Sequence, residues 1–559
     1  ANVVTQDNFY EFFNDEGYLL DSVEFDELIF KGEFEDLVDH IVIERPLTIT
    51  GNKATLNNIG FIIEDDDCTL DNLKFVADTN LGALILVDGV YGTTLSNLDI
   101  TYDGGDEEAV AIEVEGDGVK ILNNTIFFES HVPDDEVFAI GLKLTGCTDA
   151  LVDGNDITTK LPCVYCNNYD EDYYMMGSDK VNPVRIKDCA NLIFTNNNIN
   201  STTNDYSADF PTIQSIQIIG CRNSILDHNN ISMIDEMTPA GMDNYLYGIN
   251  FGYNRNVTFS NNNFNMSTKG GKDAAGTAYA FQGVESEVFI KGNSITSVSN
   301  GPNLGIYVAS MFGGDSDLII TDNFINVTGS ASSTGSWALV SGIEIQNGDA
   351  KIYNNTIYTY NVNEYDEYAY MYGISYAQWM YGDRSFDIQD NTVYTEGKYT
   401  ISVINASSFN AERNVLVAHD LSGDDSINPG SCADVTIEDN TNGSNTEYTG
   451  IIYVSETGDD NNEGSIDHPV ASIAHAVQIA AARDNKTSTV YLFNGDYTTE
   501  AIDINDDLGV SLSIIGEEKG QVTIHGTGSY IFDVYGDNLV WNFKNLDIVD
   551  VDSTARTSA

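Results

Sequence analysis

Between residues 46 and 447 apolar and polar positions alternate with the period of a half-buried β-strand, and the longer 3.6-residue stripes of helices are nearly absent. Leu142 and Leu144, Val184 and Ile186, and Ile216 and Ile218 show the alternation. The runs recur on one template. AIGLKLTGCTDALVDGNDI (139–157), VRIKDCANLIFTNNNI (184–199), IQSIQIIGCRNSILDHNNI (213–231), YGINFGYNRNVTFSNNNF (247–264) and SGIEIQNGDAKIYNNTI (341–357) each read strand, tight polar turn, strand, asparagine turn, short strand. One asparagine marks the register: Asn124, Asn155, Asn197, Asn229, Asn262, Asn293, Asn323, Asn355, Asn391, Asn414 and Asn440, at spacings of 23 to 42 residues and mostly 30 to 36. Shorter coils of the same kind surround Asn72 and Asn97.

Short strands at this period, with loops of variable length, predict an all-β parallel solenoid in which each coil pairs with the coils above and below; propeller blades would need about 40 to 45 residues. The repeated asparagine has two expected tasks. It tolerates the left-handed backbone of a tight corner, and its amide can bond the asparagine stacked about 4.8 Å away. Open sheet ends need covering. Thr5 to Phe13 reads as a short amphipathic capping helix, followed by strands in DELIFKGEF and HIVIERPLTITG. Near residue 449 the pattern breaks, and Val470 to Arg483, with Ile473 and Val477 on one face, predicts a helix between two strands. The expected organisation is a cap with first strands (1–45), a β-helix domain (46–447) and the start of a second, incomplete β-helix with its own capping helix (448–559).

The 559 residues hold 24 Lys+Arg against 87 Asp+Glu, a net charge of -63, which excludes nucleic acids and anionic membrane surfaces as partners. Hydrophobic residues make up 42% and charged ones only 20%, so the acidity is the solvated surface of a chain with a large core. No apolar run reaches the roughly 18 residues of a membrane span. The start at Ala1-Asn2-Val3, without Met, is what signal-peptide removal leaves, and the end at Ala559 after a few coils reads as a fragment of a longer tandem protein. Export to the cell surface, with an anchor outside this segment, is the expectation.

The coil pattern with its VDGNDI, FTNNNI and YNNTI turns resembles the pectate-lyase-like right-handed parallel β-helices over residues 40 to 445, and IYVSETGDDNNEGSIDHPVASIAHAVQIA is similar to the cap that begins many secreted β-helix domains. NFYEFFNDEGYLLDSVEFDELIFKGEF resembles the start of the large adhesin-like surface proteins of methanogenic archaea. That resemblance implies extracellular, surface-anchored adhesion to glycans or proteins of another cell.

Lyases of the resembled fold generally use a basic residue to take a proton and carboxylates that hold calcium. The one basic cluster is Lys143 and Arg185, at equivalent outward positions of neighbouring coils, with Lys187 two residues on. It reads first as a ladder of exposed bases facing Glu113 and Glu115, and second as a lyase site. A glycosidase needs two facing carboxylates, which sequence cannot select among 87 acids. The acidic turns Glu64–Asp67, Asp134–Glu136 and Asp459–Asp460 match no defined calcium loop. No cofactor is required, no specific metal site is expected, and loosely bound Ca²⁺ would screen self-repulsion.

Cys147, Cys189, Cys221 and Cys432 each lie eight residues before a register asparagine, and the first three belong to consecutive coils. They read as a buried column of reduced thiols acting as small hydrophobes; Cys163 and Cys166 lie in an insertion without a second pair for zinc. The long loops after the asparagine turns leave at one corner and stack side by side. Their Tyr165, Tyr169, Tyr173, Tyr174, Tyr365, Tyr368, Tyr370, Tyr376 and Trp379 beside carboxylates form the candidate contact surface for sugar rings or a protein. Sequons stand at Asn123, Asn200, Asn230, Asn256, Asn265, Asn326, Asn354, Asn405, Asn442 and Asn485. The functional expectation is a non-enzymatic adhesin or stalk, with a polysaccharide lyase or glycoside hydrolase as the competing class and a laterally or end-to-end associating envelope subunit as a third.

Overall fold

The computed structural model describes the chain except residues 1, 134–136, 164–179, 206–211, 236–237, 271–273, 311–313, 332–338, 380–381, 442–450, 463, 466–467, 483–486, 505–509, 529, 536–540 and 551–559. Two compact units divide it, Ala1–Asn442 and Gly443–Ala559.

In the first unit each turn of chain lays one strand on each of three parallel sheets. One coil places Ala139–Thr145 on the first sheet, Leu151–Asp153 on the second and Asp156–Pro162 on the third; the next places Val181–Lys187, Ile193–Thr195 and Asn198–Asp205 directly above. The first sheet alone stacks 14 strands, from His40–Ile43 to Ile427–Asn428. This is a right-handed parallel β-helix, the hand that parallel crossovers adopt.

The alternation seen in the sequence is the core. Leu142, Leu144, Val152 and Ile157 point inward and stack on Val184, Ile186, Phe194 and Ile199 of the next coil, all fully buried. A single apolar column runs from Val4 to Ile427, so residues 1–45 share the main core. The first sheet departs from simple alternation, since all eight residues of Thr212–Ile219 are buried. In its strands Gly141, Gly248, Gly305, Gly342 and Gly373 occupy one column, where a Cβ would come within 3.1 Å of Thr159, Phe264, Ile325, Ile357 or Val393 of the third sheet.

The corner between the second and third sheets divides the two tasks expected of one asparagine between two residues. Asn155 donates from its amide to Asn197 Oδ1 (2.9 Å) and to the Ile121 carbonyl (2.9 Å), and its backbone N–H also reaches Asn197 Oδ1. The same bonds join Asn124 through Asn440 into one ladder. The left-handed backbone falls on the residue before: Asn123, Asn196, His228, Asn261, Asp322, Asn354 and Asp390 have φ of 52 to 59°, and glycine serves at Gly154 and Gly292. A buried asparagine is thus held by its side chain while its exposed neighbour makes the bend.

The corner between the first and second sheets carries the thiols. They are free and buried, but they do more than fill space. The Cys189 N–H donates to Cys221 Sγ (3.3 Å), the Cys221 N–H to Asn254 Oδ1 (2.9 Å), the Asn254 N–H to Ser286 Oγ and the Ser286 N–H to Ser316 Oγ (3.2 Å each). Sulfur takes places in a ladder of acceptors that later coils build from Asn and Ser. Cys163 is buried beside Thr203 Oγ1 (3.2 Å), Cys432 is half-buried, and Cys166 lies outside the described residues.

At the start, Gln6–Glu11 forms a 3₁₀ turn, where an amphipathic helix was expected, and the Thr5 N–H donates to Asn8 Oδ1 (2.7 Å). Its Phe9 stacks on Phe13 (4.9 Å) above Phe30 and Phe34. The second unit holds the α-helix Ile473–Ala482 between the strands Ile451–Val454 and Thr487–Leu492, followed by further parallel strands with a small core of their own. Its Asp460, one of the acidic turn residues, accepts from the Ala471 and Ser472 amides (2.9 Å each) and the Ser472 hydroxyl (2.7 Å). Burial opposes ionisation there, but those three donors hold the carboxyl below its ordinary range.

Candidate functional site

Outward positions of the first sheet form columns along the axis. One of them reads Glu113, Lys143, Arg185, Gln217, Asn250, Gln282, Tyr307, Glu344, Ser375, Ser402. Its chemistry changes along its length.

The basic end is a closed ion pair. Lys143 Nζ sits 2.7 Å from Glu113 Oε1 and 3.9 Å above the Phe138 ring, and the Arg185 guanidinium lies 5.6 Å from the same ring. Lys143 and Arg185 are only 7% and 3% exposed, which corrects the expectation of exposed bases; Lys187 is half-buried, and Glu115 stands in register with Asp88 of the preceding coil. A lysine neutralised by a carboxylate and covered by a ring is a structural cation, poorly placed to take a proton from a polymer.

The other end opens into a groove of about 700 Å³ over six strands, from Asn244–Gly252 to Tyr399–Ile404. Tyr245, Tyr279, Tyr307, Tyr370, Tyr372 and Trp379 line it together with Leu304 and Leu339. Tyr279 lies 5.2 Å from Tyr247 and 5.7 Å from Tyr307, ring centre to ring centre, within the ordinary range of packed aromatic pairs. Glu344 occupies the floor. It is 8% exposed, accepts from Gln346 Nε2 (2.7 Å) and Ser375 Oγ (3.2 Å), and burial pushes its carboxyl above the usual glutamate range despite those two donors. Burial, with Glu344 nearby, likewise raises the Tyr279 and Tyr307 phenols, so they remain neutral donors.

Of the aromatic residues expected to meet a partner, Tyr370 and Trp379 are in this groove and exposed, by 53% and 64%. Tyr365 stacks on His419 at 3.6 Å outside it, and Tyr368 is exposed beyond it. Tyr376 borders the groove but is a correction to the expected exposed contact: it is 1% exposed, its ring lies inside the coil against Phe386 (4.4 Å) and its hydroxyl donates to the Gly348 carbonyl (2.9 Å). Tyr165, Tyr169, Tyr173 and Tyr174 lie outside the described residues. Sequence reasoning missed Tyr279, Tyr307, Tyr372 and Glu344, although Tyr307, Glu344, Ser375 and Ser402 hold the same position relative to the first-sheet strand as Lys143.

Among the sequons Asn123, Asn230, Asn256, Asn354 and Asn405 are exposed, Asn200 and Asn265 half-buried, and Asn442 and Asn485 outside the described residues. Asn326 is 1% exposed, which removes it as a glycan acceptor in the folded chain. One group among the described residues, Asp103, Glu129 and His131, brings ligand atoms within 4.8 Å of one another; the Lys160 ammonium stands 3.7 Å from Glu129 and already supplies a positive charge. No helix among the described residues is long and apolar enough to cross a membrane.

No family model matches the sequence, and no curated protein matches it. Solved structures that it is similar to include a PL6-family alginate lyase, AlyGC (13% identity, covering 100% of this chain and 72% of that chain, TM-score 0.32). The Dettilon tailspike protein (12%, 67% and 66%, 0.29) and the Streptococcus pneumoniae surface protein and adhesin PfbA (12%, 75% and 89%, 0.28) are others. At these TM-scores the fold rests on the strand pairing of the chain itself.

Proposed function

We propose that the protein is an extracellular adhesion module of the adhesin-like kind that its first residues resemble, a rigid coil that binds glycan chains in the aromatic groove of its first sheet. The single observation carrying this reading is the groove: half-buried tyrosine rings, an exposed tryptophan and a few convergent polar groups, the composition of a site that stacks on sugar rings. Enzymatic cleavage is disfavoured by the same geometry. Among the described residues the groove has one carboxylate where hydrolysis needs two. Arg185 is five strand pairings from Glu344, about 24 Å at the spacing of paired strands.

Glycan-array binding by the chain, with the same wells followed for unsaturated or reducing sugar, tests this directly. Binding without sugar release, weakened by Trp379→Ala, is expected. Release abolished by Lys143→Ala or Arg185→Ala would make the protein a lyase instead. Lateral self-association is a second reading favoured by one observation: Ile193 and Ile225, 47% and 42% exposed, stack on the outer surface of the second sheet. Sedimentation of Ile225→Asp against the parent chain checks it, and an unchanged monomer in both would dismiss it.

A further inference from the structure

The groove's electrostatics point to a narrower ligand class, an inference that rests on the glycan-binding reading. Among the described residues its lining includes no lysine, arginine or histidine. Glu344 is the one charged residue among the described lining residues, and the hydrogen bonds that it accepts from Gln346 and Ser375 come from neutral donors. Among the described residues no base forms an ion pair with it. Lys351, the base nearest in sequence, is exposed on the second-sheet strand Asp349–Tyr353, and Arg384 and Lys398 are engaged elsewhere, with Asp315 and Asp349 and with Glu367 (3.6 Å). A buried carboxylate without a counter-cation is expensive to ionise, and the faces of the neighbouring Tyr279 and Tyr307 rings attract positive charge.

The wider field acts in the same sense. A chain of net charge -63 concentrates cations at its clefts and repels polyanions. An acidic polysaccharide therefore meets both a distant and a local repulsion. A neutral chain satisfies the rings and leaves the carboxylate uncompensated. A sugar bearing an ammonium supplies a flat face for the tyrosines and a charge for the floor.

We propose that the groove is specific for basic, linear amino sugars, chains of free 2-amino-2-deoxyhexose, with an ammonium paired to the Glu344 carboxylate between Tyr307 and Ser375. The upward push that burial gives the Glu344 carboxyl is then opposed by the charge of the ligand.

The test is a calorimetric titration of the whole chain at physiological salt with four probes: a β-1,4-glucosamine hexamer, its fully N-acetylated form, cellohexaose and a lysine hexapeptide. The glucosamine hexamer is expected to bind about tenfold more tightly than the two neutral sugars, an advantage that Glu344→Gln erases while its melting curve stays that of a folded coil. Trp379→Ala should weaken all three sugars alike. Equal affinity for the glucosamine and N-acetylated chains would overturn the amino-sugar inference and leave the glycan reading standing. Equal binding of the lysine peptide, indifferent to Glu344→Gln, would overturn it in favour of diffuse attraction. No binding of any sugar would remove both.

Discussion

Replacing Asn229 by alanine should open the ladder at its middle. The Asn229 side chain accepts from the backbone N–H and amide of Asn197 (3.0 and 3.1 Å) and donates to the Phe194 carbonyl (3.0 Å) and Asn262 Oδ1 (2.9 Å). All four bonds are buried. At about 1 kcal/mol for each bond, and with the Asn197 N–H and Phe194 carbonyl left without partners in the interior, the loss is about 3–5 kcal/mol. Asn230, the next residue, is the control: it is exposed, and its side chain only donates to Asn198 and accepts from Asn263 (2.9 and 3.0 Å), so Asn230→Ala should change stability by about 0.5 kcal/mol or less. In a coil whose units contact only their neighbours the loss is felt locally first. Hydrogen exchange is therefore the assay, with denaturation as its companion. Amides of the coils holding Asn197, Asn229 and Asn262 should exchange about a hundredfold faster or more, while those near Asn355 keep their protection. Equal effects of Asn229→Ala and Asn230→Ala would refute the claim that the buried side-chain ladder carries the corner.

Glu344 gives a pH dependence of definite sign. Its carboxyl is raised in the fold by burial, among the Tyr279, Tyr307 and Tyr372 phenols, so its contribution to stability is fully present below the ordinary glutamate range and is lost as pH rises through the folded value. Melting temperatures of the parent chain should fall relative to Glu344→Gln as pH is raised from about 4, and parallel curves would contradict the burial argument. Cys221→Ser should cost about 1 kcal/mol or less, because serine is the acceptor that Ser286 and Ser316 already provide at that corner, whereas Cys221→Leu, without an acceptor for the Cys189 N–H, should be strongly destabilising. The thiols of Cys147 and Cys189 should resist alkylation until the coil unfolds, since their mutual contact and burial raise the Cys147 thiol, and at Cys189 the lowering by the Cys147 contact is outweighed by the Cys221 contact and burial. Added salt should raise the melting temperature by screening a net charge of -63, and a salt-independent transition would show that the acids are too dispersed to repel.

Sequence made the coil legible because its two strongest signals are periodic. Inward residues recur every second position within a strand, and Asn155, Asn197 and Asn229 recur once per coil, so spacing alone locates strands, corners and loops. What spacing does not report is which of two adjacent turn residues bends and which is bonded: Asn196 and Asn197 are chemically identical, and only the backbone conformation separates them. Burial of the first sheet on its outer side was hidden for a related reason. Lys143 and Arg185 look solvent-facing by alternation, yet a lysine stem can lie along a surface with its charge on Glu113 and under the Phe138 ring. Tyr376 illustrates the converse, an aromatic in a loop-rich stretch that falls at the inward phase of its strand, opposite Ile345 and Val403.

A solenoid writes its function along a column. The interior columns must repeat, because Val184 packs on Leu142 and Ile216 in turn and any change of size propagates to both neighbours. The outward column of the first sheet is free of that demand, and it is there that the residues change from Glu113 and Lys143, through the amides Gln217 and Asn250, to Tyr307 and Glu344. The adjoining column reads Gln214, Tyr247, Tyr279, Leu304, Ser341 and Tyr372, so three tyrosines of it fall over the same coils. A buried carboxylate beside Tyr307, Tyr279 and Tyr372 is not a requirement of folding: Gln217 and Gln214 occupy the same two columns in an earlier coil and leave the strand equally well buried. The groove therefore reads as a recognition feature placed on a scaffold that does not need it.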